Sequence, residues 1–175
     1  MNEILNIELN DTEWGLTYTD HDRQIARAIV FDDEGKLYFV KVQRDDAFGN
    51  CSYIETSGGG VEPGEMPEET IKRELNEELG VTVEVVCKLG MVSDYYNLIH
   101  RHNINNYYLC KITSFGKNHL TQDEIYDFHL STVRLTYEEA VHEYEQGRAS
   151  KLGRLVAQRE LPILEYSKQI LEEIK

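Results

Sequence analysis

Cysteine is scarce in this chain and is arranged for neither of its usual structural roles. Cys51, Cys87 and Cys110 are the three present. They are odd in number, unevenly spaced and without a C-x-x-C pair, so neither a zinc site nor a disulfide framework is suggested. Cys87 and Cys110 fall in apolar runs and read as small buried hydrophobes. Long apolar runs are missing too: no stretch approaches the roughly 18 residues needed to cross a bilayer. The opening residues 1–8 lack the basic start and apolar core of a secretory signal. A cytoplasmic location is therefore expected, with no membrane partner. Basic residues are outnumbered, 18 Lys and Arg against 32 Asp and Glu, for a net charge of −14. Nucleic acid, which is held by neutralising phosphates with Lys and Arg, is accordingly not an expected partner. A small phosphate-bearing substrate remains open if metal ions screen its charge.

With 175 residues, 41% hydrophobic and 29% charged, the chain has the make-up of one globular domain spanning 1–175. Leu5, Ile7 and Leu9 alternate in a strand, and a second strand is expected at Trp14–Tyr18. These form an N-terminal extension over 1–20. Ile25–Phe31 and Leu37–Val42, separated by Asp32-Asp33-Glu34-Gly35, predict a β-hairpin. Arg44–Asn50 reads as a polar loop and Ser52–Thr56 as a short strand. Val81–Val92 holds one or two strands, and Asn106–Thr113 another. Ser114–Asp123 reads as loop and Phe128–Leu135 as the last strand. Thr136 and Glu139 suit a capping box opening a helix that stops near Gly147. A further helix runs from about Ser150, broken near Pro162, so 148–175 form a C-terminal helical extension. This order points to an α/β (α+β) fold, an α/β/α sandwich on a mixed central sheet.

The chemistry concentrates between Gly59 and Val81. Pro67 suits a first helical turn and Gly80 the position past the last one. Between them Ile71, Leu75 and Leu79 form an apolar edge. Glu74, Glu77 and Glu78 form an acidic stripe beside it, repelling by roughly 0.2–0.5 kcal/mol per exposed pair. A plain solvated face has no need for that stripe, whereas a hard divalent cation does. Gly58, Gly59 and Gly60 let the backbone approach an ion or phosphate, with a carbonyl to offer. Arg73 can reach Glu77 one turn on, or fold back towards Glu65.

Gly59, Glu65, Arg73, Glu74, Leu75, Glu77, Glu78, Gly80 and Val81 complete the pattern G-x5-E-x7-R-E-U-x-E-E-x-G-U, with U bulky and aliphatic. Its seven fixed residues would coincide by chance on the order of once in a billion windows. The pattern resembles the box of the Nudix (MutT-like) hydrolases, and the flanking order of elements resembles their fold over about 20–147. The resemblance implies a catalytic loop-helix-loop and cleavage of the diphosphate in a nucleoside diphosphate linked to another moiety X. It implies Mg²⁺ or Mn²⁺ held by Glu77 and Glu78 with the carbonyl of Gly59 or Gly58. Glu74 would be a further ligand or the base that activates water, and Glu65–Arg73 a structural salt bridge. It also implies a downstream carboxylate, for which Glu124 is the candidate, with Asp123 and Asp127 as substitutes and an ordinary loop acid as the alternative. Two departures stand out: Ser57 where many members have proline, and Met66 where Ser or Thr would cap better.

Outside the box the residues speak less sharply. His100 and His102 read as loop residues or substrate contacts. Tyr95, Tyr96, Tyr107 and Tyr108 read as core or strand positions, and Lys41 and Arg44 as surface charges or phosphate contacts. Side motifs for NADH or coenzyme A are missing, as is the proline of ADP-ribose hydrolases, near which Tyr95 and Tyr96 stand. A tyrosine there resembles diadenosine polyphosphate hydrolases, and a role on oxidised nucleotides stays open. The alternative readings are a nucleotide-sensing Nudix-like domain with little catalysis, or an isomerase of isoprenoid diphosphates. A homodimer through the N-terminal strands is plausible.

Overall fold

Strand pairing decides where the catalytic segment sits. The computed structural model describes residues 3–175. Eight strands form one mixed sheet in the order β1-β6-β7-β2-β3-β4, with β5 pairing β2 and β8 pairing β3. The strands are β1 Leu5–Glu8, β2 His21–Phe31, β3 Leu37–Asp46, β4 Gly49–Glu55, β5 Ser57–Gly60, β6 Val81–Tyr96, β7 Arg101–Phe115 and β8 Ser131–Leu135. The helices are α1 Pro67–Leu79, α2 Gln122–Tyr126, α3 Tyr137–Gly147 and α4 Lys151–Glu173. Two pairings are parallel, β1 with β6 and β2 with β7. The β2–β3 hairpin closes as expected, and the Asp32 carboxylate accepts from the Glu34 and Lys36 amides in its turn.

Several expectations change. Trp14–Tyr18 forms no strand. The Asp11 carboxylate accepts from the Glu13 and Trp14 amides, and the Trp14 carbonyl accepts from Asn97, so local backbone groups are satisfied without a ladder. The polar segment 44–50 is instead a hairpin, with β3 and β4 paired out to Asp46 and Gly49. Arg44 makes that possible, binding Asp46 at 2.6 Å and lying over the rings of Phe48 and Phe128. Val81–Val92 belongs to one strand of 16 residues, β6, with three register shifts against β7. β7 starts at Arg101, ahead of its apolar part, because β2 and β6 flank it on both sides. The last strand keeps residues 131–135 alone.

α4 runs unbroken through Pro162. A mid-helix proline costs about 3 kcal/mol, and burial of Leu155, Val156, Ile163 and Leu164 outweighs it. Thr136 caps α3 through the Glu139 amide. α1 packs on β2, β5 and β6, while α3 and α4 pack on each other and on β4. The core joins Ile71, Leu75 and Leu79 of α1 to Ile29, Phe39, Ile54, Leu109 and Ile163.

Candidate active site

The acidic helix is set by its ends. Pro67 opens it, and the Glu69 carboxylate accepts from the Met66 amide at 2.9 Å, supplying from inside the helix the cap that Met66 lacks. Gly80 closes it at φ 69°, where an added Cβ would meet the backbone of residues 116–118. Ile71 and Leu75 are wholly buried, which turns the neighbouring glutamates along the helix flank. Glu78 is 6% exposed, Glu74 half-buried and Glu77 the most open of the three.

Arg73 organises the loop before the helix. Its guanidinium makes two 2.9 Å bonds to Glu65, one of 2.8 Å to Glu74 and one of 3.3 Å to the Gly60 carbonyl. Glu77 lies 3.6 Å away. The Arg73 bonds, helped by the Thr70 hydroxyl, bring the Glu65 carboxyl down to about 2. Gly59 presses on the Glu74 carboxylate so closely that any Cβ there would overlap it. Burial, reinforced by Glu74 and Glu124, holds the Glu78 carboxyl well above the usual range. Burial raises Glu74 as well, against the opposing pull of Arg73.

A cavity of about 210 Å³ opens beside this flank. Its lining includes Gly58, Gly59, Glu78 and Glu124, the arginines Arg23, Arg27 and Arg44, and Tyr53, Glu55 and Phe128. Glu124 therefore shares a wall with Glu78, whereas Asp123 and Asp127 do not line it. One Glu124 oxygen accepts from the Thr121 amide at 2.9 Å in a capping box, which fixes the side chain from its own helix. Lys41 lies elsewhere, 3.7 Å from Glu143. His102 bonds Asp22 and stacks on Tyr95, and His100 stacks on Tyr18; neither lines the cavity.

The donor set fits a hard divalent cation in kind: three neighbouring carboxylates, two of them raised chiefly by burial, beside a glycine backbone. Its geometry is not closed. Among the described residues no three His, Cys, Asp or Glu side chains converge tightly enough to hold an ion. Arg73 occupies part of the space between Glu74 and Glu77.

Residues 21–155 match the sequence profile of the NUDIX domain. The chain belongs to the Nudix family. Two curated relatives are similar over a shorter stretch. The 8-oxo-dGTP diphosphatase of Haemophilus influenzae is 38% identical over 58 residues, 33% of this chain and 41% of that protein. The Escherichia coli 8-oxo-dGTP diphosphatase is 36% identical over 59 residues, 34% of this chain and 44% of its own. These matches thus span less than half the length of either relative. Among solved structures, a NUDIX hydrolase from Nitrosomonas europaea has TM-score 0.64 at 16% identity, covering 85% of this chain and 90% of its own. A MutT NUDIX hydrolase from Burkholderia pseudomallei has TM-score 0.54 at 20% identity, over 68% and 86%. At those identities the likeness is one of fold.

Behind the Nudix cavity lies a network that motif reading missed, and it uses residues beyond the matched 21–155. Arg159 of α4, with no side-chain exposure, bonds Glu55 at 3.0 Å, Asp94 at 3.2 Å and the Tyr107 and Tyr96 hydroxyls. Its neighbour Glu160 accepts from the Thr56 amide at 2.7 Å and hydroxyl at 2.6 Å, and from Tyr107 and Tyr144. Thr56 leads straight into Ser57–Gly60, so Glu160 fixes the strand that delivers the glycines. Arg27 ties in through the Thr56 carbonyl and lies 3.6 Å from Glu55. The signal in the sequence was faint: an Arg-Glu pair inside the apolar run from Leu155 to Leu164.

Proposed function

We propose that this Nudix protein is a metal-dependent pyrophosphohydrolase that cuts the diphosphate of a nucleoside diphosphate linked to a moiety X. The observation that carries the reading is the cavity whose lining joins Glu78 and Glu124 to Gly58 and Gly59 and to Arg27 and Arg44. In the reaction a water oxygen bonds to one phosphorus, the bridging P–O bond breaks, and the bridging oxygen leaves with the other phosphate. The proton lost by water passes to a carboxylate, for which Glu74, pressed against Gly59, is the candidate. Glu77, Glu78 and the Gly59 carbonyl would hold Mg²⁺ or Mn²⁺, with Glu74 as a further ligand where it is not the base, and the ion would polarise the phosphoryl group and lower the pKa of water. Arg73 positions Glu74 and the Gly60 backbone. Arg27 and Arg44 offer charge to the phosphates, and the Phe128 and Tyr53 rings offer apolar surface to the rest.

The relatives' activity makes 8-oxo-dGTP the first substrate to try, within a panel of nucleotides, dinucleotides and nucleotide sugars supplied with Mg²⁺ or Mn²⁺. Released phosphate or pyrophosphate from at least one member is the expected result. Turnover of none would overturn the hydrolase reading. The hold of Arg73 on Glu74 favours one alternative, a nucleotide-binding domain with little catalysis. Calorimetry showing tight nucleotide binding with no product would establish it. Among the described residues no helix is long and apolar enough to cross a membrane.

A further inference from the structure

Acids outnumber bases in this chain by 32 to 18, so a guanidinium finds a carboxylate almost anywhere it points. Arg44, Arg73, Arg134, Arg148, Arg154 and Arg159 all do so. Arg23 does not. Among the described residues it has no hydrogen bond or ion pair, yet it lines the cavity. Its guanidinium lies flat against Gly60, where an added Cβ would come within 2.9 Å of Nη2. That places it one residue from Gly59 and the Glu74 carboxylate.

The neighbouring strand supplies a second such cation. β2 and β7 run parallel in register, His21 opposite Arg101 and Arg23 opposite Asn103. Side chains two apart on a strand share a face, so Arg101 and Asn103 stand on the same face as Arg23. Among the described residues Arg101 has no carboxylate partner either; its bond is to the His21 ring at 3.4 Å. Burial lowers both guanidiniums, and the Arg101 and Arg27 charges lower Arg23 further, against a weaker pull from Glu74 and Glu55.

Unspent polarity lies under them. Asn103 is wholly buried, and neither atom of its carboxamide has a partner. Asn105 Oδ1 and Arg27 Nε, further along the same face, are also buried without partners. Leaving a buried polar group unpaired costs about 1–3 kcal/mol. Such groups gathered beside two unpaired cations mark ground kept for a ligand. Two guanidinium forks suit a compact dianion with several oxygens, and phosphate is that group. A neutral base would not offset their mutual repulsion.

We propose that Arg23 and Arg101, over the Asn103 carboxamide, form a second anion subsite for a substrate phosphate lying outside the cleaved linkage. Substrates with three or more linked phosphates are then favoured over simple diphosphates. This rests on the hydrolase reading above, and the test separates the two. Methylene-bridged analogues of guanosine diphosphate and guanosine triphosphate are titrated calorimetrically into the full chain with Mg²⁺, alongside inorganic phosphate alone. The wild-type protein binds the triphosphate analogue about tenfold tighter than the diphosphate, the scale of one charge-assisted contact. Arg23→Gln and Arg101→Gln each remove most of that preference while the diphosphate affinity stays within about twofold. Both side chains stand at the cavity or strand surface, so the variants fold.

Equal binding of the two analogues by the wild type sinks the subsite and leaves the hydrolase reading standing. A preference that survives both substitutions also sinks it. So does an equal loss for both analogues, which would put the arginines on the cleaved linkage itself. Inorganic phosphate that binds the wild type and neither variant, with no analogue preference, marks a free-phosphate site and overturns the substrate assignment. Binding of neither analogue overturns the proposal together with the reading it rests on.

Discussion

Glu78 of α1 and Glu160 of α4 are both almost sealed from solvent, at 6% and 0% exposure, yet their acidities move in opposite directions. Burial pushes both upward. Around Glu78 the next influences are more carboxylates, Glu74 and Glu124, and its carboxyl stays high. Around Glu160, Arg159 and Arg27 outweigh burial, and hydrogen bonds from Thr56 and Tyr107 add to them, so its carboxyl falls below the usual value. The lesson is one of compensation. A buried acid answered from every side is a structural member. A buried acid answered by further acids is left in want of a cation.

The comparison breaks most plainly through Glu78→Gln, or through Glu77→Gln beside it. Loss of several kcal/mol of charge stabilisation corresponds to roughly a thousandfold fall in turnover, while the melting temperature holds or rises because repulsion is relieved. Steady-state rates and thermal melts check this, and a large loss of stability with activity retained would reverse the assignment of the two helices. Arg159→Met should do the opposite. It takes the shared buried cation from Glu55, Asp94 and Glu160 and costs about 3–5 kcal/mol in urea denaturation; a loss below about 1 kcal/mol would show that the network is not structural.

Metal addition is the third test. At a hundredfold excess over its dissociation constant, Mg²⁺ or Mn²⁺ should stabilise the wild type by about 2.7 kcal/mol. A chelator should reverse the effect, and Glu78→Gln should lose most of it. An equal gain in that variant would place the ion elsewhere.

The smallest effect concerns Glu65, brought from 4.5 to about 2 by Arg73 and Thr70. A lowered folded pKa contributes stability above the unfolded value, and that contribution is lost as pH falls from about 4.5 towards 2. Glu65→Gln should therefore lower stability at neutral pH, converge with the wild type near pH 2 and flatten the acid limb between. An identical acid limb in both proteins would mean that the Arg73 clamp carries no such linkage.

Legibility followed the range of the interactions. The caps of α1, its apolar edge, the Glu65–Arg73 bridge and the β2–β3 hairpin rest on residues within about ten positions of each other, and spacing showed them. The hairpin at 46–49 was missed because Arg44 satisfies itself on Asp46 and on two rings, one of them Phe128, far along the chain. The strand expected at Trp14–Tyr18 failed for a similar reason, its backbone bonds going to Asp11 and Asn97. The cavity's Arg23 and Arg27 gave no motif at all, since only the pairing of β2 with β5 and β7 brings them to the glycines.

By itself, then, the sequence determined the family, the acidic helix and the chemistry its carboxylates suit, because a helix with Pro67 and Gly80 at its ends puts residues three and four apart on one flank. Tertiary structure alone decided that Glu124 shares a wall with Glu78. It also decided that Arg159 secures Glu55 and Glu160 secures Thr56, each from 104 residues away, and that Arg23 has no hydrogen-bond or ion-pair partner for its guanidinium among the described residues. Those outcomes depend on which strands pair and on what burial leaves uncompensated, and neither is a property of local spacing.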